Sequence, residues 1–323
     1  MPSAIGTDTI SSLARRTILP EIVDAIYDSN PLFFRLTRAN KKVVQGGTHI
    51  EVPVQYAKPN QAAAYQGFDV LNVAPFDVIR NARWDWKQYA TTVTLDGLTM
   101  IKTDSPESIA NFIRTQFELA KADFADIMGA DLYNGNASDP KKLTGLRQAV
   151  AASGTYADIN HTNPYWQSKI DSSTALSAIT LDILQGIFGQ LVIGREAPTI
   201  MLARRTTYDK IAALTFGSSG QGQAISIPAG GADDILRSAG FTNVLYNNVP
   251  VVIDSQSDAG SGSNGRLYLL NENWIQLAVS PRADMAMEDF VTPANQDAMT
   301  AKILWAGELL VTNPRLQGAF TAL

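Results

Sequence analysis

A chain of 323 residues exceeds one average domain, which predicts one large unit or two interlocked ones. Hydrophobic residues make up 45% and charged residues 18%, a balance that supplies ample core and leaves a neutral exterior suited to burial against partners. A net charge of −5 and the absence of cysteine argue against tight phosphate binding and exclude disulfides, thiolate metal sites and thiol nucleophiles.

No run approaches the ~20 apolar residues of a membrane span. The opening MPSAIGTDTISSLARRTILPE lacks the apolar centre of a secretory signal, so a soluble protein made in a cytoplasm is expected, with no membrane partner. Residues 1–17 read as an extended arm. Pro20 and Glu21 suit the first turn of a short helix with Ile22, Val23, Ile26 and Tyr27 on one face, and Asn30-Pro31 is read as its stop. The apolar cluster Leu32, Phe33, Phe34, Leu36 follows. Neither the small helix nor this cluster can bury itself, so both are expected to dock elsewhere.

Residues 43–56 alternate, with Ile50, Val52, Val54 and Tyr56 on one side, and Pro53 marks an edge strand. A second alternating run from Trp84 to Leu95 slips phase between Trp86 and Tyr89, where a bulge is expected. With the loose stretch 57–83 between them, the two runs predict a long two-stranded ribbon, marginal in water by itself. Residues 105–133 predict the longest helix, with Ser105 as N-cap and Pro106 at the first position. Ile109, Phe112, Ile113, Phe117, Ala120, Phe124, Ile127, Met128 and Leu132 form its apolar stripe. At ~1.5 Å per residue it spans about 43 Å, a structural spine.

From Leu143 the pattern is mixed α/β. Helices are expected over Leu181–Val192, Thr206–Leu214 and Asp233–Ala239, with strands over Thr199–Leu202 and Val249–Ile253. Leu267–Leu270 and Trp274–Val279 read as a hairpin over an Asn-Glu-Asn turn, and Ala301–Val311 as the last strand. Phe216–Gly231 and 257–265 read as loops.

The chemistry-bearing candidates are few. GSGSNG at 260–265 matches G-x-G-x-x-G, but a strand rather than a helix follows it, so a flexible loop is favoured over a cofactor cradle. His49 and His161 are the two histidines; neither has a partner at metal-ligand spacing, and both are expected solvated. Asp284, Glu288 and Asp289 fit a solvated rim better than an acid/base pair or cation site. Trp84 and Trp86 fit a packing or interface anchor better than a ligand platform. No catalytic residue, cofactor or metal ligand is assigned, and the chain is not expected to be an enzyme.

In order, the chain offers PEIVDAIYDSNPLFFRL, the limbs GGTHIEVPVQY and WDWKQYATTVTLDG, the helix SPESIANFIRTQFELAKADFADIMGADLYNGN, an α/β block and AGELLVTNPRLQGAF. This series resembles the tailed-bacteriophage major capsid proteins, which share the α+β coat fold named after phage Hong Kong 97. The resemblance implies an N-terminal arm over 1–40 and an extended β loop over 41–97. It further implies a peripheral domain from 98–142 and 297–323 around the spine helix, and an axial domain from 143–296. It implies a homo-oligomer of pentamers and hexamers in an icosahedral shell around DNA, in a virion built in a bacterial cytoplasm. A separate scaffolding protein, a portal and possible decoration proteins are the implied partners. Ile22, Ile26, Phe33, Phe34, Tyr65, Phe68, Trp84 and Trp86 are the expected inter-subunit contacts. The rival readings are an encapsulin-type cage holding a cargo enzyme and a soluble α/β enzyme built on 143–280; a tail or adhesion protein lacks its expected repeats.

Overall fold

A computed structural model describes residues 30–58, 62, 64–70, 77–98, 106–135, 139–216, 243–257, 266–293 and 297–322. The expected helix at Pro20, with Ile22 and Ile26, lies outside these residues, as do the helix Asp233–Ala239, GSGSNG and most of the loop expected from Phe216.

The first element is helix α1, Pro31–Ala39, which corrects the reading of Asn30-Pro31 as a stop. Asn30 is the N-cap: its side-chain oxygen accepts from Leu32 N–H and Phe33 N–H, and Pro31 needs no hydrogen-bond partner at the first position. Strand β1, Lys41–Val43, follows directly. Strands β2, Ile50–Gln55, and β3, Ile79–Trp84, pair antiparallel in a two-stranded ribbon with Ile50 opposite Trp84 and Gln55 opposite Ile79. Strand β4, Lys87–Asp96, leaves the ribbon. The phase slip at Trp86 is therefore a break between two strands rather than a bulge, and the paired ribbon is shorter than the expected 41–97.

Helix α2, Pro106–Asn134, is the expected spine. Ile113, Phe117, Phe124, Met128 and Leu132 are buried as the stripe predicts, whereas Ile127 is exposed. The helix ends against residues 143–145, where Gly135 and Gly145 let two backbones touch: a Cβ on Gly145 would lie 2.6 Å from Tyr133 O, and one on Gly135 would collide with Leu143 O. A small hairpin follows, β5 Thr155–Tyr156 and β6 Ile159–Asn160, with Ala157 and Asp158 at positive φ in its turn.

Next come β7 Lys169–Ala175, α3 Leu181–Leu191, β8 Ile200–Ala203 and α4 Arg205–Phe216. They are followed by β9 Asn243–Tyr246, β10 Val249–Ile253, β11 Leu267–Leu270, β12 Ile275–Val279 and β13 Ala286–Met287. The chain closes with β14, Ala298–Val311, and β15, Gly318–Ala322. Two larger sheets result. In the first, β4 runs along one edge of β14 while β12 and β13 pair in succession along the other, and β1 adds parallel to β12. The second has the order β7-β15-β11-β8-β10-β9.

The apolar runs IMLA, VPVVI and LYLL are buried along their length because the second sheet is covered on both faces. Met201, Val251, Leu267, Leu269 and Phe320 face a core shared with α3 and α4, while Leu202, Val252, Tyr268, Leu270 and Ala319 face the core of the spine and the first sheet. Leu267–Leu270 and Ile275–Val279 belong to different sheets, so the expected hairpin does not form. Alternation marks half-buried strands but says nothing of which strand is the partner. Short links carry the chain from one sheet to the other at 271–274 and at 312–317, so β12 and β15 each lie across the sequence boundary expected between the peripheral and axial segments.

Candidate assembly surface and buried joint

Among the described residues, several of the exposed apolar side chains belong to the ribbon and its tip. Tyr65 is 66% exposed, Phe68 and Val70 are fully exposed, and Ile79 is largely so. Its root is fixed. Trp84 is buried and meets Tyr156 edge-on at 5.9 Å, and Tyr156 stacks on Trp166 at 6.1 Å. The Tyr156 hydroxyl donates to Leu309 O and accepts from Val311 N–H, which ties the pad beneath the root to β14. Trp86 is half-buried, its Nε1–H donating to Gly47 O at 3.0 Å.

Among the expected contact residues, then, Tyr65 and Phe68 stand free and Trp86 is partly covered. Phe33, Phe34 and Trp84 are buried inside their own chain. The cluster after Asn30 was expected to need an outside partner, but capping at Asn30 turns it into a helix that packs on β12 and the spine-side core.

The candidates for chemistry separate from one another. His161 is 1% exposed, not solvated; its Nδ1 lies 2.9 Å from Trp166 O and its Nε2 3.1 Å from Gln148 O, because the β5–β6 hairpin and Trp166 close over it. His49 is exposed beside Asp85 at 2.8 Å. Asp284 pairs with Lys41 and Glu288 with Lys302. Among the described residues no group of three or more His, Asp or Glu side chains could hold a metal ion, and no helix is long and apolar enough to cross a membrane.

Buried polar groups instead knit the two sheet crossings together, which sequence reasoning missed. Gln317 accepts from Asn271 N–H at 2.8 Å and donates from Nε2 to Asn271 O at 3.2 Å. The Glu196 carboxylate accepts from Asn271 Nδ2 and Trp274 Nε1, and these hydrogen bonds hold it below its ordinary range. Glu272 receives Arg35 of α1 at 2.7 Å and the Thr199 hydroxyl at 2.8 Å. Asn-Glu-Asn does turn the chain, but as a joint between two sheets rather than the bend of a hairpin; its signal was a string of polar residues between two fully apolar strands.

Two further acids are buried. Asp254 accepts from Asn30 Nδ2 at 2.8 Å and the Tyr133 hydroxyl at 2.6 Å, linking the α1 cap to the spine; burial raises its carboxyl. Glu308, inside β14, accepts from Thr144 N–H at 2.8 Å and Leu309 N–H at 3.0 Å, and burial pushes its carboxyl up to about 8.

A groove of about 430 Å³ lies against one side of the ribbon. Val52, Val54, Tyr165 and Trp274 supply its apolar and aromatic lining, and Lys42 and Arg315 its charge, with no carboxylate among the described lining residues. The Arg315 guanidinium sits over the Tyr165 ring at 5.0 Å.

Solved structures match this arrangement almost end to end. The capsid asymmetric unit of cyanophage A-1(L) superposes with a TM-score of 0.65 over 92% of this chain and 93% of that chain, at 16% identity. The chain has the phage capsid fold. The capsid of a native GTA particle gives a TM-score of 0.55 over 89% of each chain at 12% identity. The capsid of Myoviridae phage XM1 gives 0.54 over 89% of this chain and 91% of that chain at 10% identity. No protein-family model and no curated protein matches the sequence. At these identities the capsid fold is carried by the order of the elements rather than by shared sequence.

Proposed function

We propose that this chain is the major capsid protein of a tailed phage, a structural subunit that self-assembles into an icosahedral shell enclosing double-stranded DNA. The observation that carries this reading is the match of 92% of this chain to 93% of a chain of the cyanophage A-1(L) capsid asymmetric unit. In this reading residues 1–40 and 41–97 reach over neighbouring copies, 98–142 and 297–323 with the spine form the peripheral body, and 143–296 turn toward the five-fold and six-fold axes. Tyr65, Phe68 and Trp86 remain inter-subunit contacts, and Ile22 and Ile26 are proposed with them. A separate scaffolding protein and a portal complete assembly, and the shell encloses DNA without reading its sequence. Assembly in the host cytoplasm and the absence of catalysis belong to the same reading.

Negative-stain microscopy of the purified chain, with and without its candidate scaffold, tests it. Rings, capsomers or closed shells are expected. A protein that stays monomeric or dimeric at high concentration under both conditions would end the reading.

A further inference from the structure

The tip of the ribbon carries Asp69, which accepts from Gln66 N–H at 2.8 Å within its own loop, and the groove beside β2 carries the opposite charge. Tyr65, Phe68 and Val70 are exposed to solvent at the tip. From Pro59 to Val78 the sequence carries Asp69 and Asp77 and no Lys or Arg, so the segment is apolar, aromatic and anionic. The groove offers the converse: Tyr165 and Trp274 as flat walls, Val52 and Val54 between them, and Lys42 and Arg315 with no carboxylate among the described lining residues. Its volume, about 430 Å³, falls in the ~300–1,000 Å³ range of pockets that enclose compact ligands. Strand β2 pairs with β3 and with no other strand among the described residues, so an extended segment can lie along its second edge, interrupted only at Pro53.

We infer that this groove is the seat of the ribbon tip, residues 64–70, of a second copy of the chain. Phe68 and Tyr65 enter beside Trp274 and Tyr165, and Asp69 lies toward Lys42 and Arg315. Because tip and groove are different surfaces, the contact is head-to-tail and repeats from copy to copy until it closes as a ring. The inference rests on the shell-forming reading and specifies which surface receives the ribbon.

The chain has no cysteine, so a pair introduced across the contact reports without background. Gln66→Cys at the tip combined with Gln276→Cys in the groove should give, on oxidation of assembled particles, a ladder of covalent oligomers on a non-reducing gel. Either single variant should run as a monomer. Shells of the double variant without a ladder overturn the groove and leave the capsid reading intact; a wild-type chain that never assembles overturns both. If the double variant alone fails to assemble, charge reversal decides. Arg315→Glu should reduce particle yield at least tenfold, and Asp69→Lys in the same chain should restore it. Absence of that restoration overturns the inference.

Discussion

Glu308 sits in the middle of β14 with no exposure, and its carboxyl takes up a proton near pH 8 instead of in the ordinary carboxylate range. Burial raises it against the opposition of the Thr144 and Leu309 N–H groups and of Lys87. The folded chain therefore binds this proton more tightly than the unfolded chain does. The resulting stability is full below the unfolded value of 4.5 and is lost as pH rises through about 8, at up to about 1.4 kcal/mol per pH unit. Urea unfolding of the isolated chain at pH 5, 7 and 9 should show this decline, and Glu308→Gln, which still accepts from both N–H groups, should flatten it. An unchanged slope in the variant would place the pH dependence elsewhere. At the joint, Gln317→Ala leaves the Asn271 N–H without the side-chain oxygen that accepts from it, while the Asn271 C=O keeps only the Trp274 N–H. A loss of about 1–3 kcal/mol for the orphaned N–H is expected in the same assay.

At the scale of elements, the α1 cap offers a discriminating comparison. Asp and Ser are both good N-caps in general, but Asn30 also donates to buried Asp254. Asn30→Asp places a second carboxylate against the first and should cost clearly more than Asn30→Ser; equal melting temperatures would show that the Asp254 contact carries no weight. The ribbon root and tip should likewise separate. Trp84→Ala empties a buried ring site and should destabilise the folded chain by about 3–5 kcal/mol. Phe68→Ala should leave its stability within about 0.5 kcal/mol while impairing assembly. Calorimetry of the monomer beside particle yield distinguishes the two.

The same elements show what the sequence could reveal. The spine was legible because nearly thirty residues share one period and begin at Ser-Pro-Glu. Asn30-Pro31 was misread because the pair serves a helix start as well as a stop, and only the following apolar face, packed on β12, decides which. His161 was misread because its surroundings, Asn, Thr and Pro, look like surface loop, whereas the Tyr156 ring stacks on it and the backbone carbonyls of Trp166 and Gln148 lie against its two nitrogens. Pairing partners and burial beneath a loop are set by residues far away in sequence, so no local pattern contains them.

For the whole molecule, the proposal turns on the ribbon being dispensable for folding and indispensable for assembly. Replacing residues 57–77 by a two-residue Asn-Gly turn leaves Tyr56 opposite Val78, keeps β2 and β3 in register and removes the exposed tip. The shortened chain should be soluble, melt near the wild type and form no closed particles by microscopy. Intact particles from it would remove the tip from the assembly contacts.

The ten residue pairs between β4 and β14, Asp96 opposite Ala298 through Lys87 opposite Gly307, also set how the molecule bears force. Ladder hydrogen bonds lie across the strand direction, so tension drawn through Trp86 into β4 loads them side by side in shear rather than one after another. A pull on the finger is then passed into β14 and onward to β12 and β13.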